Sequence, residues 1–167
     1  DIQFLLSNII NTSQTFDVSG LSLNSQTLNK GDLFIALQGD KNHGADYIEN
    51  AIENGCVAVL IEEKDVDCSV PTIKIDNLKL HLSTLAQNFY TKAKKVNLIA
   101  VTGTNGKTSV SHYISQLLDL LKIENGLIGT LGISKVQKKS INTTPDIFSI
   151  YSTLNEYSEQ GINVAII

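Results

Sequence analysis

Methionine is absent from all 167 residues, and proline and cysteine occur only twice each. A chain without methionine does not begin at a natural start, so a piece of a longer protein is expected. Basic residues are in deficit, 13 Lys and Arg against 17 Asp and Glu, for a net charge of −4. That balance argues against a non-specific nucleic-acid binder, so no nucleic-acid partner is expected. A phosphate ligand would have to be met by local donors. No apolar run approaches the roughly 20 residues that cross a bilayer. Phe4-Leu5-Leu6 lacks the basic flank and the length of a signal peptide, and no membrane partner is expected. Cys56 and Cys68 are not in a metal spacing, and His43, His81 and His112 stand far apart without a zinc signature. Cys56, in the run Gly55 to Ile61, reads as a small buried apolar residue. Internal repeats and low-complexity stretches are also missing.

What is present is a folded composition, 42% hydrophobic and 18% charged. One segment stands out. The apolar run Val96 to Val101 leads into Gly103-Thr104-Asn105-Gly106-Lys107-Thr108-Ser109, and a helical pattern follows from Ser109 to Leu121. Strand, glycine turn, lysine, hydroxyl and helix is the order of a phosphate-binding loop. Glycines let several backbone N–H groups face one anion, and the helix N-terminus adds partial positive charge. Lys107 suits the β- and γ-phosphates and Thr108 suits Mg²⁺, so ATP with Mg²⁺ is the expected ligand pair. The loop departs from the general form, which would place a glycine where Val101 stands.

Around this loop the periodicity predicts α/β winding. Gly31 to Gly39 reads as turn, buried strand, turn. Asp46 to Asn54 reads as a helix closed by Gly55, and Val57 to Ile61 as a buried strand. Thr72 to Ile75 reads as an edge strand. Asn77 to Lys95 has the spacing of one amphipathic helix, ending in the basic cluster Lys92, Lys94 and Lys95 as a solvated end rather than a phosphate patch. Asn125 to Gly132 reads as a strand and glycine-rich turn, and Lys135 to Ser140 as a polar loop. Thr144 is the candidate N-cap and Pro145 the first residue of a helix closed by Gly161; Asn163 to Ile167 is a further strand. The expected fold is α/β: a small N-terminal α/β domain over 1–85, with a linker helix from about 77, then an incomplete phosphate-loop central domain over 86–167 with a mainly parallel sheet.

With these residues in view, Gly103-Thr104-Asn105-Gly106-Lys107-Thr108 resembles the ATP loop of the Mur ligases, the amino-acid ligases of peptidoglycan precursor synthesis. Leu23 to Gln26 followed by Gly31 to Gly39 resembles that family's uridine-nucleotide domain. Gly129-Thr130-Leu131-Gly132 and Asn142-Thr143-Thr144-Pro145-Asp146 resemble the branch that adds the third residue. The resemblance implies contacts to uridine from Leu23, Ser25, Asp40, Lys41 and Asn42, an ATP loop over Gly103 to Ser109, and a muramoyl-peptide site at Asn142, Thr143 and Thr144. It implies a monomeric cytoplasmic enzyme that joins a diamino acid to UDP-N-acetylmuramoyl-L-alanyl-D-glutamate through an acyl phosphate. Lys107 and Thr108 would be its catalytic groups, and Thr108 a metal ligand. In such a protein no disulfide between the cysteines is expected. Asn24-Ser25-Gln26 stands where the family usually has Asp-Ser-Arg, which removes an acid and a base together. His43-Gly44-Ala45-Asp46 departs from the usual Asp-Gly-His order, so His43 receives no role. Three alternatives stay open: the dipeptide-adding branch, a folate-polyglutamate or cyanophycin type ligase sharing the ATP loop, and a nucleotide-dependent regulatory binder. The 167 residues alone are expected not to catalyse ligation.

Overall fold

The computed structural model describes residues 1–39, 43–62, 66–129, 132–135 and 145–167. They fall into two compact units, Asp1–Phe89 and Tyr90–Ile167.

In the first unit, β1 (Gly20–Ser22), β2 (Asp32–Ala36), β3 (Ala58–Ile61) and β4 (Thr72–Lys74) form a parallel sheet in the order β1-β2-β3-β4. Every residue of β2 and β3 is buried, as in a parallel strand covered on both faces, which is why both read as unbroken apolar runs. Phe34, Ala36, Val59 and Ile61 share one core cluster with Ile48 and Ala51 of α2 (Ile48–Glu53) and with Cys56. Burial, and secondarily Cys68, pushes the Cys56 thiol up from its ordinary 9.0. Gly55, at φ +92°, closes α2: its N–H donates to the Ile52 carbonyl and the Cys56 N–H to that of Ala51. The short α1 (Ile2–Leu5) packs on α3 (Leu78–Phe89), and Asn88 Nδ2 donates to the Leu5 carbonyl at 3.0 Å.

The helix expected over Asn77 to Lys95 is not continuous. It stops at Phe89; Tyr90 leaves helical geometry (φ −96°, ψ 64°), and Thr91–Lys95 forms a separate 3-10 turn. Tertiary partners explain the break. The Lys92 backbone N–H donates to Asn155 Oδ1 at 3.2 Å and its Nζ pairs with Glu159 at 2.9 Å, both on α5 (Ile147–Glu159).

In the second unit the order is β5-β8-β6-β7, with β5 (Asn97–Ile99), β8 (Val164–Ile166) and β6 (Asn125–Gly129) parallel and β7 (Gly132–Ile133) antiparallel. Tyr157 of α5 is fully buried against β6, and its hydroxyl donates to the carbonyls of Ser134 (2.7 Å) and Leu127 (3.3 Å). Gly126 has no room for a side chain: a Cβ there would lie 2.2 Å from the Tyr157 ring. The helix α5 starts later than expected. Asp146, not Thr144, is its N-cap, because the Asp146 carboxylate accepts from the Phe148 and Ser149 N–H groups at 3.0 and 3.2 Å. Pro145 therefore precedes the helix. Helix α4 (Lys107–Leu120) begins two residues before the expected Ser109, inside the glycine-lysine segment itself. Along it, Val110, Tyr113, Leu117 and Leu120 are exposed among the described residues. No described helix is long and apolar enough to cross a membrane.

Candidate functional site

The Gly103–Ser109 loop, the candidate phosphate loop, follows the C-terminal end of β5, the end of a parallel strand at which α/β ligands bind. Gly106 is the N-cap of α4 in the left-handed region (φ +78°, ψ −4°), and no side chain caps the helix. The Val110 N–H bonds back to the Gly106 carbonyl at 2.9 Å, so the helical ladder closes there. The N–H groups of Lys107, Thr108 and Ser109 ahead of it are the orphan donors of the first turn. Residues Thr102 to Val110 are all exposed. Lys107 Nζ donates to the Gly103 carbonyl at 2.6 Å, folding the ammonium back over the loop. Thr108, Thr104 and Asn105 present exposed side chains around it. The loop thus sets two glycine turns, one cation, a hydroxyl and a row of N–H donors beside one helix end. That assembly suits a polyphosphate. Among the described residues no group of three or more His, Cys, Asp or Glu converges as a metal cluster.

A second concavity lies in the first unit, in a cleft of about 440 Å³. Leu23 to Gln26, directly after β1, and Leu37 to Gly39, directly after β2, line it with Phe34, Tyr47 and Lys79. This is again the C-terminal edge of a parallel sheet. The β1–β2 connection is held by its own polar groups. Asn24 Oδ1 accepts from the Gln26 N–H at 2.8 Å, Ser22 Oγ accepts from the Asn24 N–H at 3.1 Å, and Asn54 Nδ2 donates to the Ser25 carbonyl at 2.9 Å. Ser25 is 5% exposed, and among the described residues its hydroxyl has no hydrogen-bond partner.

The cleft therefore brings together Leu23 and Ser25. Asp40, Lys41, Asn42, Asn142, Thr143 and Thr144 lie outside the described residues. Sequence reasoning missed Gln38, Tyr47 and Lys79 as cleft residues. It also missed what His43 does: its Nδ1 accepts from the Ala45 N–H at 3.0 Å, while Asp46 accepts from the His43 N–H at 3.2 Å. This capping box opens the 3-10 turn Gly44–Tyr47, and the His-x-x-Asp spacing was the available signal.

Two family profiles match the chain, the Mur ligase family catalytic domain over residues 17–90 and the Mur ligase middle domain over residues 101–167. The chain belongs to the Mur ligase family. It is 37% identical, over 98% of its own length, to the UDP-N-acetylmuramoyl-L-alanyl-D-glutamate--2,6-diaminopimelate ligase of Wigglesworthia glossinidia brevipalpis. It spans 35% of that relative's length. Among solved structures, a UDP-N-acetylmuramoyl-L-alanyl-D-glutamate--2,6-diaminopimelate ligase superposes with a TM-score of 0.74 at 25% identity, over 94% of this chain and 34% of that one. The MurF ligase of Thermotoga maritima in complex with ADP superposes with a TM-score of 0.56 at 26% identity, over 88% of this chain and 31% of that one. The Mur ligase fold, α/β with parallel sheets, is the expected fold class.

Proposed function

We propose that this chain is the nucleotide-binding part of an ATP-dependent ligase that adds a diamino acid to UDP-N-acetylmuramoyl-L-alanyl-D-glutamate in the cytoplasm. The observation that carries the reading is the phosphate loop: an uncapped helix start behind Gly106, with Lys107 and the Thr108 hydroxyl beside it. The likeness to diaminopimelate-adding relatives supports the third-residue branch, and the ADP complex of a related ligase supports ATP at the loop. In this reading the Tyr90–Ile167 unit takes ATP and the Asp1–Phe89 unit takes the uridine nucleotide.

The chemistry asks little covalent work of these residues. A carboxylate is a poor electrophile, and ATP supplies the phosphoryl group that activates the D-glutamate carboxylate. The diamino acid's amine then displaces phosphate. Positioning and charge neutralisation are the protein's share. Lys107 exchanges the Gly103 carbonyl for a phosphate oxygen, a charge-assisted and stronger partner. Thr108, directly after Lys107, is the loop hydroxyl assigned to Mg²⁺, whose remaining ligands would be phosphate oxygens and water. In the cleft, the amides of Asn24, Gln26 and Gln38 both donate and accept, which suits the edge of a base.

Calorimetry tests the proposal. UDP-N-acetylmuramoyl-L-alanyl-D-glutamate should bind the folded chain more tightly than the precursors carrying three or five residues. Preference for a three-residue precursor would move the protein to the dipeptide-adding branch. Failure of every uridine nucleotide to bind would overturn the reading.

A further inference from the structure

The cleft of the first unit has an uneven chemistry. Its lining is apolar or neutral almost throughout: Ser25, Asn24, Gln26 and Gln38 offer hydroxyl and amide groups but no charge. Among the described lining residues, Lys79 alone is charged. It is exposed, and among the described residues it has no hydrogen-bond or ion-pair partner. Its backbone position is fixed, because the preceding Leu78 is fully buried and the Leu80 N–H bonds to the Asn77 carbonyl at 2.8 Å. The location does not serve the helix. Lys79 sits in the first turn of α3, where a cation is opposed by the helix dipole. Nor does the chain's overall charge help an anion approach, at −4.

We propose that Lys79 is the phosphate-selecting residue of this cleft: neutral side chains hold the uncharged nucleoside, and the Lys79 ammonium takes the diphosphate that leaves it. The inference rests on the uridine-nucleotide reading above and adds the group that separates a nucleoside diphosphate from a nucleoside. A lone ammonium gives a charge-assisted hydrogen bond without the fixed fork of arginine, so it selects for charge more than for geometry. The contact is solvent-facing, so salt screens it.

The test titrates uridine and UDP into the 167-residue chain and into its Lys79→Gln and Lys79→Arg variants, with circular dichroism confirming the fold. The wild type should bind UDP roughly tenfold more tightly than uridine, the increment of one charge-assisted contact. Lys79→Gln should bring UDP to the affinity of uridine and leave uridine unchanged, and Lys79→Arg should keep most of the preference. In wild type the preference should shrink at high salt. A Lys79→Gln variant that keeps the full UDP preference overturns the inference and leaves the uridine site standing. Equal binding of uridine and UDP by the wild type does the same. Binding of neither overturns both this inference and the reading on which it rests.

Discussion

Replacing Gly126 by alanine should destabilise the Tyr90–Ile167 unit sharply. The new Cβ would lie 2.2, 2.3 and 2.8 Å from the Cε2, Cζ and Cδ2 atoms of Tyr157. Carbon atoms prefer separations of about 3.5–4.0 Å, so ring and strand must part by roughly 1.3 Å. Tyr157 has nowhere to go: it is fully buried, and its hydroxyl is tied to the carbonyls of Ser134 and Leu127. Overpacking of this kind costs about 1–3 kcal/mol. Pulling the hydroxyl from its acceptors adds about 1–2 kcal/mol. The sum, about 2–5 kcal/mol, is a large part of the roughly 5–15 kcal/mol that holds a domain folded. Tyrosine fluorescence reads it directly, because the chain has no tryptophan and Tyr90, Tyr113, Tyr151 and Tyr157 all lie in this unit, against Tyr47 alone in the other. Urea titration of Gly126→Ala, Tyr157→Leu and the double variant gives the coupling. The double variant should lose clearly less than the sum of the singles. A Gly126→Ala unfolding free energy within about 0.5 kcal/mol of wild type, or strict additivity, would refute the argument.

Gly106→Ala tests the loop by backbone alone, since a Cβ there meets nothing within 4 Å while φ stays at +78°. Holding alanine in that region costs about 1–2 kcal/mol, so ATP affinity should fall about 5–30-fold with the fold intact; unchanged affinity would mean the left-handed turn is not needed. Burial pushes the Tyr157 hydroxyl up from its ordinary 10.0. Above that pH the unfolded chain releases this proton before the folded one does, so its contribution to stability is complete below about pH 10 and is lost as pH rises through the folded value. Urea midpoints at pH 8 to 11 should therefore fall more steeply for wild type than for Tyr157→Phe, and parallel curves would contradict the assignment.

The strand-loop-helix order around Gly103 to Lys107 was legible because its determinants are neighbours in sequence: the apolar run of β5, two glycines and the first turn of α4 follow one another directly. The buried strands β2 and β3 were legible for a similar reason, as two-sided burial leaves an unbroken apolar run. The end of α3 was not. The apolar spacing runs on past Phe89, and what stops the helix is Lys92 reaching Asn155 and Glu159, partners far along the chain. The start of α5 was misplaced because Thr144 and Asp146 are both good caps, and only the geometry at Asp146 decides between them. Strand β1 is three residues long, too short for any periodicity to register. In the cleft, Leu23 and Ser25 followed from a local pattern, whereas Lys79 enters from a helix that begins beyond three further strands.

In the proposed ATP site, the bond between Lys107 and the Gly103 carbonyl makes nucleotide capture an exchange of partners rather than a simple gain. The ammonium must give up a 2.6 Å contact before it meets phosphate, and the carbonyl it leaves must find another donor or turn to water. The heat released on binding is therefore a net figure, smaller than the contacts in the complex would suggest. A Lys107→Ala variant removes the exchange together with the cation, so its lost affinity measures the difference between two partners and not the strength of either.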